Sequence, residues 1–535
     1  MQRRPKTTQT LGTVVLLLLL LVVVRCAPAL DSVGKTCKTD DQCNMPYIVC
    51  KIEDSRTEGT YQHKALFPML GNEVLGLILM TLLLSVASLV AISGGTIVLP
   101  FAIYLLGLTS NQAVAMANAI TVLSTGVKYA VSLRNKSAFS EWKTAVDYNA
   151  ALTLLPMNVM LSVIGGIASS VFPAVLTLII MVLCILQAVY NGIRNLRRLN
   201  QAEREKQLAA AQANEPKALP EPQPESNRKL AELGEQELAA LKIPGESEQP
   251  VVQPANPPTA EAQVSEVRIA KLEEVPKAEN AAPQKMVTQE HEKMIEDQRK
   301  IEGNNFHWPK FLPIIGMILL SVLVSLLRPG KTPTSLVGIK KCSAGDYLVL
   351  IGFAIIMAFL PFYAYNLIQK EQAHKDKIGW VKAKDEVYLD KNKFIFSNVW
   401  SGVSGLISTL LGIGGGILLN PLMAILHYLP ATASWTININ ALVGRFAAVI
   451  VHIIYGDLLY DYVLFCGVII AVVIFFSENV VNYYLLKKLK SQRPYAMIFL
   501  AVCTICLILN VLVGVDTWIA DANKGIDVWV FKPLC

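Results

Sequence analysis

Twelve apolar segments recur along this chain of 535 residues and constrain its fold more than any other feature. Several are long enough to cross a bilayer as a helix, which takes about 20 residues. Charged residues make up only 17% of the chain, whereas soluble domains carry about 25%. A soluble multidomain enzyme, a coiled coil and a fully disordered protein are therefore excluded. The segments lie at 74–92, 96–108, 113–133, 149–168, 174–190, 311–327, 347–368, 398–413, 416–429, 437–455, 460–484 and 496–514.

Two of these segments, 96–108 and 416–429, are too short to cross a membrane. Each would be about 20 Å long as a helix, against a hydrocarbon core of about 30 Å. Each also follows a cluster of glycines. We interpret both as halves of helices that are broken inside the membrane.

The two breaks belong to an internal repeat. SGGTIVLP at 93–100 aligns with GGGILLNP at 414–421, an offset of 321 residues, and Asn118 then falls on Asn438 after one residue of slippage. Five segments repeat, with 311–327 and 347–368 inserted between the copies. Because five and seven are both odd, the two copies enter the membrane from opposite sides. The predicted fold is an all-α polytopic membrane protein with two inverted five-segment repeats, broken helices and about 10–12 membrane segments.

Residues 201–300 differ from the rest of the chain. They hold 13 Lys and Arg against 19 Asp and Glu, 11 of the 27 prolines and no aromatic residue. Such a composition cannot bury a core, so we predict a largely disordered cytosolic loop, with a short helix possible only near 202–213. The loop either binds a cytosolic partner or regulates the protein, or it is a tolerated insertion.

The net charge of +7 divides into −6 for residues 201–300 and +13 for the remainder. In a membrane protein that excess belongs to short loops, where it orients helices and meets the headgroups of the lipid bilayer. No basic stripe interleaved with aromatic residues is present, so nucleic acid is not an expected partner. The sequence gives no indication of oligomeric state.

Residues 1–29 are typical of a secretory signal peptide. Basic residues precede the apolar run Val14–Val24, and Ala27-Pro28-Ala29 resembles a cleavage site. The alternative is an uncleaved anchor. A cleaved signal places an integral membrane protein in the secretory pathway, at the plasma membrane or an endomembrane, with its mature N-terminus outside the cytosol.

Three cysteines, Cys37, Cys43 and Cys50, follow within fourteen residues. In an oxidising compartment they are expected to form disulfides rather than to bind a metal. Because three is odd, either one thiol stays free or Cys342 or Cys535 supplies a fourth. The predicted organisation is a signal peptide at 1–29, an extracytoplasmic cysteine segment at 30–72, the first repeat at 73–192, the charged loop at 193–310, connecting helices at 311–368, the second repeat at 396–515 and a tail at 516–535.

The glycine breaks are the best candidates for a binding site. A break inside the bilayer leaves unpaired amides at the start of the next half-helix, and these must face protein or a water-filled cavity. The positive end of the helix dipole attracts an anion, and glycines allow it to approach the backbone closely. The alternative is close helix packing through small residues. Two breaks in register across a repeat favour the binding site.

Polar residues inside the membrane segments add to this hypothesis. Arg445 lies near the middle of 437–455, two turns or less after Asn438 and Asn440. A buried arginine needs a partner or a ligand, so Arg445 either binds the anion or pairs with Glu478 on the next helix.

Two further ionisable residues lie in apolar segments, and each has two interpretations. Lys128 either takes part in coupling or an ion pair, or extends to the membrane surface. His452 is either a proton-coupling group or a helix residue whose ring is simply hydrogen-bonded. No P-loop, HExxH, paired CxxC or GxSxG motif occurs. We therefore expect no enzyme, no cofactor and no metal site.

At this point the motifs show a resemblance to a known family. The breaks SGGTIVLP and LGIGGGILLNP, the stretches AVAMANA and ATASWTININ that follow them, and DYNAALTLLP at 147–156 resemble the sulfite exporter TauE/SafE family. It is also described as the toluene sulfonate uptake permease family, and the long loop, the signal peptide and the cysteines resemble its eukaryotic members. The resemblance covers about 72–192 and 311–515.

The resemblance implies a permease or exporter that moves small anions, such as sulfite or organosulfonates, by alternating access of two inverted halves. A non-transporting receptor or scaffold, which would use the cysteine segment and the cytosolic loop, is the alternative. The family motif gives backbone roles to the glycines and prolines of the breaks, and the polar side chains come from the reasoning above. The candidate substrate-binding residues are Gly94, Gly95, Pro100, Asn118, Gly414, Gly415, Gly416, Pro421, Asn438, Asn440 and Arg445.

Overall fold

The computed structural model describes most of the chain outside its N-terminus and central segment. Residues 203–288 form a separate unit, of which only two helix ends are described. The signal peptide, Cys43 and residues 214–280 of the predicted loop lie outside the described residues. Those described are 36–37, 46–51, 59–92, 94–137, 140, 142–213, 281–304, 308–329, 334–383, 385–454, 456, 458–482, 484, 493–523 and 529–531.

Helices account for nearly all of the described structure. Apolar composition over 18 residues or more drives each long helix, because only a helix satisfies every backbone group in lipid. A π-helical turn, Ser477–Val481, continues the helix Tyr460–Phe476. The helices are α1 (Gly71–Ser88), α2 (Gly95–Tyr104), α3 (Ser110–Arg134), α4 (Tyr148–Val171), α5 (Ala174–Ala213), α6 (Ala281–Glu302), α7 (Trp308–Leu327), α8 (Ala344–Lys377), α9 (Lys391–Leu410), α10 (Gly416–Ile425), α11 (Pro430–Ile454), α12 (Tyr460–Phe476) and α13 (Arg493–Asn523).

Each of the twelve predicted apolar segments overlaps one of these helices. Within the described ranges, nine helices are long and apolar enough to cross a membrane, and α2 and α10 are the shorter apolar ones. The one remaining predicted segment, 398–413, corresponds to α9, which is less apolar because of its serines and glycines. The prediction of an all-α polytopic membrane protein is confirmed.

The predicted disorder of the central loop is wrong at its C-terminal end, since residues 281–302 form α6. The side chain of Gln298 is 5% exposed, and Glu302 pairs with Lys375 of α8 over 2.6 Å. Polar contacts with the bundle therefore hold α6 in place, although this segment lacks the aromatic residues that would pack a soluble core.

The short helices α2 and α10 share a design. Each has ten residues, begins directly after a glycine and carries a proline at its sixth position, Pro100 in α2 and Pro421 in α10. Each is followed by a 25-residue helix, α3 or α11. At 1.5 Å per residue, α2 and α10 are only about 15 Å long, so each spans only part of the thickness of the bundle.

Helices α4 and α9 pack closely because α9 presents small residues. A Cβ atom on Gly405 would collide with the Asn158 carbonyl of α4, and one on Gly402 would lie 2.7 Å from the Leu161 side chain. Ser401 donates a hydrogen bond to Leu154 O over 2.7 Å. Small residues of this kind let membrane helices approach without a loss of packing.

A three-stranded sheet covers one end of the bundle. Strands β1 (Thr36–Cys37) and β2 (Ile48–Lys51) flank β3 (Gly59–His63), and a disulfide joins Cys37 to Cys50. The Tyr47 hydroxyl donates to Leu105 O at the end of α2 over 3.3 Å. Its ring lies where a side chain on Gly107 would project, and that glycine has a φ of +65°. Two of the three cysteines of the N-terminal segment, Cys37 and Cys50, are thus joined, and Cys342 is also disulfide-bonded.

Candidate functional site between the two breaks

The two glycine breaks touch each other. A Cβ atom on Gly95 would lie 2.8 Å from Gly412 O, and one on Gly416 would collide with Ala91 O. Only glycine permits backbone to approach backbone this closely. Close packing of the two breaks therefore requires glycine at Gly95 and Gly416, whereas a Cβ atom on Gly415 would make only ordinary contacts of 3.9 Å, with Leu419 and Ser408.

The carbonyl groups at the end of α1 are satisfied from the other half of the chain. Ser434 of α11 donates to Leu89 O over 2.7 Å, and Asn420 of α10 donates to Val90 O over 2.8 Å. The last carbonyls of a helix have no partner within it and need one from outside. The first break is thus completed by residues of α10 and α11.

Arg445 occupies the equivalent place at the second break. Its guanidinium donates to Ile413 O over 3.0 Å and to the Asn118 side-chain oxygen over 3.1 Å. The Asn118 amide nitrogen lies 3.3 Å from His452 Nε2. Both acceptors of Arg445 are neutral, and within the described residues no carboxylate lies within ion-pair distance of it. The Arg445–Glu478 pair, which was one of the two interpretations of Arg445, is therefore absent from the described part of the chain.

Arg445 lines a cavity of about 390 Å³, called here the α10 cavity. Gly415 and Gly416 bring the N-terminus of α10 to its wall, and Asn440 lies beside them. Asn440 is only 3% exposed, yet neither polar atom of its side chain has a hydrogen-bond partner among the residues that the structure describes. A buried amide without partners costs about 1–3 kcal/mol. Its unmet donor and acceptor, the cation and the helix end together favour a small polar anion.

A second cavity of about 340 Å³, the α2 cavity, adjoins the first break, and Gly94 and Asn438 line it. Asn438 donates to Thr125 O over 2.9 Å, so its amide is already used. Ala441 lines both cavities, which are therefore neighbours.

Lys128 lines the α2 cavity and pairs with Glu478 over 3.3 Å. Lys128 is 2% exposed and Glu478 is fully buried, so Lys128 does not extend to the surface as one interpretation proposed. Lys128 also donates to Ser88 O and, over 2.7 Å, to Ser434 Oγ. At each break a cation thus lies against the carbonyl end of the preceding helix, as the helix dipole favours. Lys128 of α3 contacts the end of α1, and Arg445 of α11 contacts the backbone that follows α9.

The predicted site residues are divided between these features. Arg445, Asn440, Gly415 and Gly416 line the α10 cavity, whereas Gly94 and Asn438 line the α2 cavity. Asn118 acts through Arg445. Sequence reasoning missed Asn158, Ser162, Ser408 and Thr409, which also line the α10 cavity. Two features of the sequence could have identified them. Asn158 and Ser162 are four residues apart, which puts both on one helix face, and serines precede the second break.

A larger polar cavity of about 550 Å³ lies at the end of the bundle where α3 ends, and its charges are paired. Lys375 contacts Glu302 and Glu386 over 2.6 Å each and Glu371 over 3.1 Å. Burial alone would raise the pKa of Glu386, but Lys375 outweighs it and holds that pKa below its usual value. These ion pairs tie α6, α8 and the loop before α9 together. The charges that line the cavity balance, three against three: Lys143, Lys310 and Lys375 against Asp147, Glu302 and Glu386.

Comparisons with known proteins agree with this architecture. The family model described as "Sulfite exporter TauE/SafE" matches residues 5–191 and 299–510. A relative from Arabidopsis thaliana, described as "Sulfite exporter TauE/SafE family protein 5", is 22% identical over 240 residues. That match covers 44% of this chain, and the chain spans about half the length of the relative. No solved structure matches the chain. The matched residues include both glycine breaks and both cavities, and the chain belongs to the sulfite exporter TauE/SafE family.

Proposed function

We propose that this protein is a transporter of small sulfur oxyanions, such as sulfite or an organosulfonate, and that the α10 cavity binds the anion. The observation that carries the proposal is Arg445, a cation inside the bundle whose partners are neutral oxygens. A cation without a counter-ion in a low-dielectric interior is costly, and a bound anion removes that cost.

Three groups of the protein bind the anion. The Arg445 guanidinium donates to two of its oxygens in the bidentate arrangement that suits planar O–X–O groups. The amides at the start of α10 donate to the third. Asn440 supplies one further donor and one acceptor, so it also suits an anion that carries its own hydroxyl or amino group, such as hydrogen sulfite or an aminosulfonate.

The contact between the breaks supports alternating access of two inverted halves. Hydrogen bonds from α10 and α11 to the end of α1, and from Arg445 to Asn118, join the two parts of the chain at one level. Motion of one half against the other around this level would expose the α10 cavity to each side in turn. The Cys37–Cys50 disulfide supports a location in the secretory pathway, because such bonds persist in oxidising compartments.

Flux measurements in proteoliposomes test the proposal. The purified full chain should move labelled sulfite or a labelled sulfonate, and Arg445→Ala and Gly415→Leu should abolish that movement. Arg328→Gln removes a cation that pairs with Asp346 away from both cavities and serves as the control. Unchanged flux in the Arg445 and Gly415 variants would show that the anion binds elsewhere.

A deletion separates this function from a scaffold. Removal of 214–280 leaves α6 and its contact with Lys375 in place. A transporter should retain its flux after this deletion, whereas a scaffold that acts through the loop should lose its partners.

A further inference from the structure

The two cavities differ in one charge, and this difference points to a second site. Each break has a cation, but Lys128 has the Glu478 carboxylate beside it, whereas the partners of Arg445 within the described ranges are all neutral. The α2 cavity is therefore neutral while Glu478 is ionised. It gains one positive charge when Glu478 is protonated.

The contacts around Glu478 allow it to gain a proton without a collapse of the site. Oε1 accepts from Lys128 and from Ser88 Oγ, and Oε2 accepts from Asn482, which in turn accepts from the Tyr495 hydroxyl. Lys128 keeps Ser88 O and Ser434 Oγ as acceptors when the carboxylate becomes neutral. These groups from α1, α3, α11, α13 and its own helix are the charged and titratable surroundings of Glu478.

The backbone at Glu478 is unusual as well. The residue lies in the π-helical turn Ser477–Val481, which interrupts the α-helical hydrogen bonding at the end of α12. Single π-helical turns within α-helices occur frequently at functional sites. Glu478 is fully buried, and ionisable residues inside membrane helices mark proton or substrate pathways.

We propose that the α2 cavity is a proton site, in which the Glu478 carboxylate binds one proton for each monovalent anion that binds beside Arg445. This inference rests on the proposed transport of an anion. On one side of the membrane a hydronium ion transfers its proton to Oε1 or Oε2, so that one O–H bond of hydronium breaks as the carboxyl O–H bond forms. On the other side the carboxyl O–H bond breaks and the proton returns to water.

The charge balance inside the bundle gives the reason for this stoichiometry. Lys128, Arg445 and ionised Glu478 sum to +1 with no substrate bound. Protonated Glu478 together with a bound monoanion also gives +1. The empty protein and the protein that has bound both a proton and an anion therefore bury the same charge. Binding of the proton alone or of the anion alone would change the charge that is buried in a low-dielectric medium. Because Ala441 separates the cavities, the two binding events are electrostatically linked, and the linkage is reciprocal.

The test uses labelled methanesulfonate, which stays ionised throughout the working pH range, so any proton that moves is carried by the protein. The full chain is reconstituted in liposomes with a pH-sensitive dye inside and the membrane potential held at zero. We expect methanesulfonate uptake to acidify the lumen. An inward gradient of about one pH unit should support about tenfold accumulation, since each factor of ten in concentration matches one pH unit at a stoichiometry of one.

The variant Glu478→Gln should keep the exchange of labelled for unlabelled methanesulfonate and lose accumulation in response to the pH gradient. Lys128→Met combined with Glu478→Gln should behave likewise, and it replaces the buried pair as a unit, which proteins tolerate better than loss of one partner. Glu73→Gln is the matched control, because Glu73 is equally buried and paired with Lys64 over 3.0 Å but lies outside both cavities. This control should keep the response.

Two outcomes would overturn the inference: methanesulfonate uptake by the unaltered protein without proton movement, or an unchanged gradient response in Glu478→Gln. Either result would leave anion transport standing. If the unaltered protein moves neither methanesulfonate nor sulfite under any gradient, the proposed function fails, and the inference fails with it.

Discussion

The guanidinium of Arg445 donates a hydrogen bond of 3.1 Å to the side-chain oxygen of Asn118, so the N-terminal half of the chain orients the cation of the C-terminal half. A hydrogen bond to a charged group contributes about 1.5–3 kcal/mol. Asn118 therefore matters to the α10 cavity although it acts only through Arg445.

The first prediction concerns this pair. Asn118→Ala should weaken anion binding roughly tenfold or more, since about 1.4 kcal/mol corresponds to a factor of ten. Arg445→Lys should retain part of the affinity because the charge stays and the bidentate geometry is lost. Thermal shift across a panel of oxyanions measures both effects. Equal affinity in Asn118→Ala and the unaltered protein would show that Arg445 needs no orientation.

The second prediction compares two buried asparagines. Asn440→Leu should leave the melting temperature unchanged or raise it, because both polar atoms of Asn440 lack partners. It should abolish anion binding. Asn510→Leu should instead lower stability by about 1–3 kcal/mol, because Asn510 donates to Thr96 O and Cys506 O over 3.0 and 2.8 Å. Melting curves with and without sulfite check both; a loss of stability in Asn440→Leu would assign Asn440 a structural role.

The third prediction compares adjacent glycines. Gly416→Ala should prevent folding, because the new Cβ atom collides with Ala91 O and backbone cannot move aside as a side chain can. Gly415→Ala should fold normally, because the nearest atoms to its Cβ are 3.9 Å away. Size-exclusion profiles in detergent distinguish the two. Similar profiles for both variants would mean that the breaks do not touch.

The fourth prediction concerns pH. The pKa of Glu386 is held below its usual value, so its ionised form stabilises the folded protein above the pKa of the unfolded chain. That contribution is lost as the pH falls through the lowered pKa. Glu386→Gln should therefore destabilise the protein at pH 7, by about 1.5–3 kcal/mol for the loss of a hydrogen bond to a charged group, because Lys375 keeps Glu302 and Glu371 as partners. The destabilisation should become progressively smaller in acid.

Melting temperatures between pH 7 and pH 3 measure this difference. Glu296→Gln is the control, because Glu296 forms an exposed pair with Lys300 over 3.0 Å, and such pairs contribute little. A difference between Glu386→Gln and the unaltered protein that is independent of pH would exclude an ionic role for Glu386.

The sequence predicted the membrane helices and the breaks well because both depend on local composition. Apolar runs of sufficient length form helices in lipid whatever surrounds them. Glycine clusters followed by short apolar runs located α2 and α10, and Arg445 and Asn440 line the cavity beside the second break. These features need no knowledge of which helices are neighbours.

The partner of Glu478 could not be predicted in this way. Glu478 follows Arg445 along the chain, but α3 passes next to the π-helical turn and brings Lys128 to it instead. Likewise, α6 is held by contacts such as Glu302 with Lys375, which are 73 residues apart. Pairing of polar residues depends on the arrangement of helices in space, and the amphipathic pattern of one helix does not record it.

The contacts across the breaks have a consequence for how the molecule assembles. The end of α1 depends on Ser434 and Asn420 for its carbonyl partners, and Arg445 depends on Asn118. Each half is in effect a subunit of an obligate heterodimer whose interface contains the breaks. The central segment then acts as a tether that raises the effective concentration of one subunit around the other. Two separately synthesised fragments, divided within 214–280, should each be unstable alone and should reconstitute the bundle when they are produced together.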